Sequence, residues 1–180
     1  MPRLDETKDF IPVRIALLTV SDTRDLTQDR SGDVLAERIE AAGHTLADRM
    51  VVRDERDQIV EQLREWIANA DIDVVISTGG TGLTGRDVTV EAHREVYEKE
   101  IDAFGTVFTI VSMQKIGTSA VQSRATGGVA GGTYLFALPG SPGACRDAWD
   151  EILCHQFDYR HLPCNFVEIM PRLDEHQRRK

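Results

Sequence analysis

Residues 74–87 read VVISTGGTGLTGRD and decide the fold of the chain. The stretch begins as a short run of apolar β-branched residues, which is the pattern of a fully buried strand. It then breaks into a loop with four glycines in seven residues, and a helical pattern follows from Thr89. In α/β proteins such a strand, glycine loop and helix lie at the carboxyl edge of the sheet, where ligands bind.

This glycine loop (residues 79–85) has the composition of an anion-binding site. Glycines let the backbone approach an anion closely, and amides at a helix N-terminus point toward it. A flexible connector is the alternative, but four glycines and two threonines after a buried strand favour anion binding. Asp87 is an unusual neighbour for a phosphate unless a cation lies between them. The loop therefore predicts a phosphate next to a metal ion.

The residues before this loop follow the order of a parallel α/β sheet. Residues 13–20 predict a strong strand, and residues 44–52 predict a weaker one. One helix is expected from about Ser31 to a stop at Gly43, and a second is expected from the apolar spacing of residues 59–70. The resulting βαβαβ order with short connections is typical of a parallel sheet covered by helices.

The residues after the loop predict two more helices, a strand pair and a final helix. Residues 90–99 and 104–114 are expected to be helices separated at Gly105, and residues 123–130 and 133–138 are expected to be paired strands. A loop rich in glycine and proline then opens a helix. The apolar inner face of that helix is predicted to consist of Cys145, Ala148, Trp149, Ile152, Leu153 and Phe157.

Composition narrows the class of protein. A chain of 180 residues suits one domain, and its ends, about residues 1–10 and 171–180, are expected to be flexible. The net charge of −9 argues against nucleic acid as a partner. No apolar run approaches the roughly 20 residues of a membrane helix, and the first residues do not resemble a signal peptide. Three cysteines without zinc-ligand spacing fit a reducing compartment, so we expect a cytoplasmic location with no membrane partner.

Two nucleotide motifs are only superficially present. Residues 80–85 form a literal G-x-G-x-x-G, but the dinucleotide fingerprint requires the first βα turn and an acid that ends the next strand. Here the loop follows the third strand, and Asp102 lies in a helical pattern. A P-loop would need Lys and Ser or Thr after Gly85, where this chain has Arg86 and Asp87.

Asp54 and Asp87 each lie where a predicted strand gives way to a helix. From position alone, a helix cap and a metal ligand are equally good interpretations of either residue. Two carboxylates at the carboxyl ends of predicted strands, beside a phosphate, suit Mg²⁺. Asp22, which follows the first strand, is a weaker third candidate.

Other candidate ligands lie later in the chain. Ser119, Ser123 and Arg124 could bind phosphate oxygens, Arg124 as a forked donor, although such residues are more often simply solvated. Pro139, Gly140 and Ser141 form either a turn or a second wall of the ligand site. The histidines have neither catalytic nor metal spacing and are expected to be surface or structural residues: His44, His93, His155, His161 and His176.

Five segments together resemble the molybdopterin-binding family of molybdenum cofactor biosynthesis proteins, over roughly residues 12–168. They are STGGTGLTGRDVT (77–89), IGTS (116–119), QSRA (122–125), LPGSPG (138–143) and LPCNF (162–166). The resemblance implies a three-layer α/β/α sandwich with a mostly parallel central sheet, assembled as a homotrimer or homohexamer.

The resemblance also implies molybdopterin as the ligand, with its terminal phosphate at the loop from Thr78 to Gly82. The phosphate cradle of the family falls on Gly79, Gly80, Thr81 and Gly82, and the family's two important aspartates fall on Asp54 and Asp87. Related adenylyltransferases convert molybdopterin and Mg²⁺-ATP to adenylylated molybdopterin and pyrophosphate. In that reaction Asp54 and Asp87 would hold Mg²⁺, and Ser119, Ser123 and Arg124 would support the pterin side.

One departure keeps a second function open. The adenylyltransferase branch commonly has proline after G-G-T-G, where this chain has Leu83 and Thr84, although residues 86–89 match that branch. The first hypothesis is therefore a molybdopterin adenylyltransferase, and the second is a binding or carrier protein without chemistry. A dinucleotide-binding oxidoreductase ranks far behind both.

Overall fold

The computed structural model of the protein describes residues 3–178, so residues 1, 2, 179 and 180 of the predicted flexible ends lie outside the described part. The strands are β1 (Arg3–Leu4), β2 (Arg14–Val20), β3 (Thr45–Val52), β4 (Val74–Thr78), β5 (Lys99–Glu100), β6 (Thr126–Ala130), β7 (Thr133–Leu138) and β8 (His161–Leu162). The α-helices are α1 (Arg30–Ala41), α2 (Arg56–Ala68), α3 (Thr89–Val96), α4 (Asp102–Ile116), α5 (Pro142–Ala148), α6 (Cys154–Gln156), α7 (Phe166–Ile169) and α8 (Glu175–Arg178). A 3₁₀ turn, Gly117–Gln122, follows α4, and a π-helical turn, Trp149–Leu153, joins α5 to α6.

The central sheet has six strands in the order β3-β2-β4-β7-β6-β5. The first four strands are parallel to one another, β6 is antiparallel to β7, and β5 is antiparallel to β6. The predicted mostly parallel α/β sheet is therefore confirmed. β1 and β8 form a separate antiparallel pair.

Alternate side chains of the buried strands enter two different hydrophobic cores. Ile15 and Leu17 of β2 belong to the core that includes buried residues of α1, α4 and α5. Ala16 and Leu18 belong to the core that includes buried residues of α2 and α3. Since successive side chains of a strand point to opposite faces, helices cover both faces of the sheet in three layers.

Three local predictions were wrong. Residues 99–100 form β5 and not the end of a helix, because they pair with β6 at the sheet edge. Gly105 lies inside α4 and does not separate two helices; a Cβ there would lie 2.9 Å from the carbonyl oxygen of Ala125, so glycine permits close packing. β6 begins at Thr126, since residues 123–125 precede the sheet.

The chain ends contain secondary structure that the sequence pattern did not predict. Arg3–Leu4 pairs with β8, and α8 lies close to Glu98, which accepts a hydrogen bond from the Gln177 amide at 3.2 Å. The flexibility expected of these ends stays a prediction. Within residues 3–178, every helix is too short or too polar to cross a membrane.

The register of the sheet brings four loops to one edge. Thr19, Thr78 and Leu138 are neighbours near the carboxyl ends of β2, β4 and β7, and Val20 pairs with Val52 near the end of β3. The segments that follow these strands contain Asp22, the glycine loop, residues 139–141 and Asp54. Residues separated by more than 100 positions therefore meet in one crevice.

Candidate functional site

A cavity of about 300 Å³ lies at this edge. The sequence-predicted residues in its wall are Asp22, Asp54, Thr78, Gly79, Gly80, Asp87 and Gly140. Ser31 also lines this cavity and was not predicted. Its hydroxyl donates a hydrogen bond to the carbonyl oxygen of Gly140 (2.7 Å), a contact between residues far apart in the sequence that no local pattern indicates. The crevice therefore joins the glycine loop, both predicted aspartates and the loop after β7.

The glycine loop has a backbone that only glycine accommodates easily. Gly79 and Gly80 have φ angles of +94° and +64°, in the left-handed region that L-residues disfavour. A Cβ on Gly79 would lie 2.3 Å from the carbonyl oxygen of Val20, and a Cβ on Gly140 would lie 3.0 Å from the Cα of Gly79. The two loops therefore touch through bare backbone.

Two amides of the loop have no hydrogen-bond partner among residues 3–178. The Gly79 amide donates to the carbonyl of Leu138 (3.1 Å), whereas the amides of Gly80 and Thr81 have no protein acceptor within residues 3–178. The buried Thr89 hydroxyl, against which Gly80 lies, also has no partner among these residues. Unpaired amides in a glycine loop suit an anion such as a phosphate.

The loop after β7 is braced by its neighbours. The Thr78 hydroxyl donates to the carbonyl of Pro139 (3.0 Å) and is buried beside the Cys145 sulfur. Ser141 caps α5 by accepting a hydrogen bond from the amide of Ala144 (3.1 Å). Of these predicted ligands, Gly140 and Thr78 line the crevice, and Ser141 has a structural partner.

Both predicted aspartates lie against the glycine loop. A Cβ on Gly80 would lie 2.5 Å from Oδ1 of Asp54, and a Cβ on Gly82 would lie 2.7 Å from Oδ2 of Asp87. The helix-cap interpretation was wrong for both residues, because Glu55 is the N-cap of α2 and Val88 is the N-cap of α3. Their placement must therefore be explained by the loop or by a ligand.

The two carboxyl groups have opposite electrostatic environments. Burial raises the pKa of Asp54, and the negative charges of Asp22 and Asp87 raise it further. Hydrogen bonds from the hydroxyl and amide of Thr84 (2.7 and 2.9 Å to Oδ2) lower the pKa of Asp87. Three carboxylates thus share a small region, and a cation there would relieve their repulsion.

The donor set fits Mg²⁺ only if the substrate completes the coordination. Within residues 3–178 there is no group of three or more His, Cys, Asp or Glu side chains arranged to hold a metal. Mg²⁺ commonly takes one or two carboxylates together with phosphate oxygens and water. Asp54 and Asp87, beside unpaired loop amides, match that requirement.

Arg86 balances part of this negative charge, a role that the sequence did not predict. Its guanidinium donates to both carboxylate oxygens of Asp22 (Nη2 at 3.0 and 2.9 Å) and to Glu55 (3.1 Å). Its charge opposes the rise in the pKa of Asp54. Arg86 is thus an internal counter-ion for carboxylates beside the crevice.

Arg124 lies behind the glycine loop. Its Nε donates to the carbonyl oxygens of Thr81 (3.2 Å) and Gly82 (3.0 Å), and its Nη atoms pair with Glu91. The sequence suggested a phosphate ligand, whereas these donors contact protein atoms in the structure. The predicted Ser123 lines a second cavity of about 530 Å³ with Arg124, and the exposed Ser119 lines neither cavity.

The histidines and cysteines among residues 3–178 lie outside the wall of the crevice, in the core or at the surface. His93 is fully buried, with Nε2 at 2.7 Å from the Ser77 hydroxyl, and burial lowers its pKa to about 3. Cys145 is buried and Cys154 is half-buried, while Cys164 is exposed. The dinucleotide motif has no structural support, because Asp102 begins α4 and does not end a strand.

Comparison with known proteins identifies the family of this chain. The sequence matches a family model described as a probable molybdopterin binding domain over residues 16–158. Molybdenum cofactor biosynthesis protein B of Escherichia coli (strain K12) is 48% identical over 158 residues, which cover 88% of this chain and 93% of that protein. A crystal structure of a molybdenum cofactor biosynthesis protein B has a TM-score of 0.84 at 36% identity, covering 93% of this chain and 99% of the other. The tungsten cofactor synthesizing protein MoaB from Pyrococcus furiosus has a TM-score of 0.72 at 32% identity, covering 81% and 93%. The chain therefore belongs to the molybdopterin-binding-domain family of molybdenum cofactor biosynthesis proteins.

Proposed function

We propose that this protein binds molybdopterin and adenylylates it with Mg²⁺-ATP, releasing pyrophosphate. The observation that carries the proposal is the position of Asp54 and Asp87, whose carboxylates lie beside the glycines of a loop with unpaired amides. Transfer of an adenylyl group to a phosphate requires hydrogen-bond donors for the phosphate and acids that can hold a metal ion in the same crevice. Family membership and the 48% identical E. coli protein support molybdopterin as the ligand.

In the proposed reaction the terminal phosphate of molybdopterin attacks the α-phosphorus of ATP. A new P–O bond forms to the α-phosphorus, the bond to the β-phosphate breaks, and pyrophosphate leaves with the electron pair. The substrate supplies the nucleophile, so the protein contributes by positioning groups and stabilising charge.

Each residue has a stated role in this proposal. The amides of Gly80 and Thr81 bind the molybdopterin phosphate, and Gly79 and Gly82 shape the loop around it. Asp54 and Asp87 hold Mg²⁺, which would neutralise charge on the nucleotide phosphates. The remaining candidate ligands of the pterin side are Ser119, Ser123, Pro139, Gly140 and Ser141.

We also propose that the protein works in the cytoplasm as a homotrimer or homohexamer. Support comes from α4, where Val107, Ile110, Met113 and Ile116 are between 42% and 55% exposed. A helix with this much exposed apolar surface normally has a partner. Sedimentation equilibrium distinguishes three subunits from six, and a monomer would contradict the assembly.

A molybdopterin-binding or carrier protein without chemistry is the second candidate. It is favoured by Leu83 and Thr84 in place of proline, and by Asp87, whose Oδ2 already accepts two hydrogen bonds from Thr84. In that case the acid would shape the loop and bind no metal.

One experiment separates the two functions. The protein is saturated with molybdopterin, Mg²⁺-ATP is added, and pyrophosphate is measured over time. We expect release that depends on both substrates. Intact molybdopterin binding without pyrophosphate would leave the carrier function, and absent binding would contradict both.

A further inference from the structure

We propose that Arg124 and Glu91 form a positioning pair that fixes the shape of the glycine loop from behind, and that Arg124 does not bind phosphate itself. This inference rests on the proposed function, because it gives the loop the task of binding the molybdopterin phosphate.

Arg124 donates hydrogen bonds to carbonyl groups of the loop. Its Nε donates to Thr81 (3.2 Å) and Gly82 (3.0 Å), and its Nη2 lies 3.4 Å from the carbonyl oxygen of Asp87. One planar guanidinium therefore ties both ends of the segment from residue 81 to residue 87. A planar fork with several fixed donors can do this, whereas an ammonium group cannot reproduce the geometry.

The hydrogen bond from Arg124 to the Thr81 carbonyl fixes the direction of one loop amide, that of Gly82. The carbonyl and the amide of one peptide unit point in opposite directions because the unit is planar and trans. When Arg124 holds the Thr81 carbonyl, the Gly82 amide of the same unit is directed away from it. Gly82 lies against the Asp87 carboxylate, whose Oδ2 would be 2.7 Å from a Cβ at this position, and its amide helps to lower the pKa of Asp87. Arg124 thus orients the loop and the acid together.

Glu91 holds the guanidinium in this position. Both of its carboxylate oxygens pair with the Nη atoms of Arg124, and Glu91 lies in the first turn of α3, directly after the loop. The pair neutralises the charge of Arg124 and occupies the donors that a phosphate would need. Since the Arg124 side chain is only 28% exposed, little of it remains free for a ligand.

The discriminating variant is Glu91→Gln. If Arg124 were a phosphate ligand, removing the competing carboxylate would free its charge and tighten anion binding. If the pair positions the loop, the same change weakens the hydrogen bonds from Arg124 to the loop carbonyls and therefore weakens phosphate binding. The probe is inorganic phosphate, titrated into the full chain and followed by amide resonances of residues 80–82. We expect about fivefold weaker binding, equivalent to roughly 1 kcal/mol.

Arg124→Lys supplies the second measurement, and Arg94→Gln is the matched control. Lysine keeps the charge but not the fork, so the positioning role predicts weakened phosphate binding, shifted amide resonances and faster hydrogen exchange in residues 80–82. Arg94 lines the same 530 Å³ cavity and pairs with Glu100 (3.0 Å), without a hydrogen bond to the loop, so its replacement should leave all three readouts unchanged.

Tighter phosphate binding in Glu91→Gln would overturn the inference. So would an Arg124→Lys variant that binds phosphate as tightly as the wild type. Neither measurement involves ATP or pyrophosphate. The positioning role can therefore fail while adenylylation stands, and adenylylation can fail while the positioning role stands.

Discussion

Gly79→Ala is expected to destabilise the protein by about 2–5 kcal/mol. A non-glycine residue in the left-handed region costs roughly 1–2 kcal/mol, and Gly79 has φ +94°. Its new Cβ would also lie 2.3 Å from the carbonyl oxygen of Val20. That oxygen belongs to the backbone of a buried strand and cannot rotate away as a side chain would. Overpacking of this kind typically adds about 1–3 kcal/mol.

The matched control is Gly85→Ala in the same loop. Nothing lies within 4 Å of a Cβ at Gly85, and its φ is not positive, so we expect a change within about 0.5 kcal/mol. Urea unfolding followed by circular dichroism gives both free energies by linear extrapolation. Equal effects of the two substitutions, or a Gly79→Ala protein as stable as the wild type, would refute this account of the loop.

Three further predictions concern the charges around the site. Asp54→Asn should raise the midpoint of thermal unfolding at neutral pH without Mg²⁺. The pKa of Asp54 is raised in the folded protein, so its ionised form opposes folding. The gain should vanish below the ordinary carboxyl pKa of 3.8, where the acid is protonated in both states. His93→Gln should flatten the pH dependence of the free energy of unfolding. Because the pKa of His93 in the folded protein is about 3, the wild type loses stability as the pH falls below 6.5. The loss is about 1.4 kcal/mol per pH unit, or about 2 kcal/mol by about pH 5. A variant that loses stability as steeply as the wild type would contradict that assignment. Arg86→Gln should strengthen Mg²⁺ binding in calorimetry, because it frees the carboxylates of Asp22 and Glu55 from their counter-ion. Weaker binding would show that Arg86 is not a counter-ion.

The sheet and the glycine loop could be predicted because their signals are local. Residues 74–78 form an uninterrupted buried run, and four glycines follow at once. The rule that parallel strands end at one edge of the sheet then placed Asp54 near the loop, although more than 20 residues separate them. Periodicity and connection order were sufficient for this part of the site.

The roles of the two arginines could not be predicted for the opposite reason. Arg86 pairs with Asp22, 64 residues earlier, and Arg124 contacts Gly82, 42 residues earlier. No local pattern distinguishes an arginine that binds carbonyl oxygens from one that binds phosphate. Residues 99–100 illustrate the same limit, since a helical pattern gave way to pairing with β6.

Asp87→Asn and Asp54→Asn test the central claim most directly, when molybdopterin affinity and pyrophosphate release are measured on the same samples. Asparagine at position 87 can still accept the hydrogen bonds from Thr84 (2.7 and 2.9 Å), so the loop should keep its shape. A metal ion contributes several kcal/mol to such reactions, and each 1.4 kcal/mol corresponds to a factor of about ten in rate. We therefore expect release to fall by at least about 100-fold while affinity changes little. Unchanged release, or equal loss of binding and release in a folded variant, would contradict the claim that the loop binds the phosphate while the two acids hold magnesium.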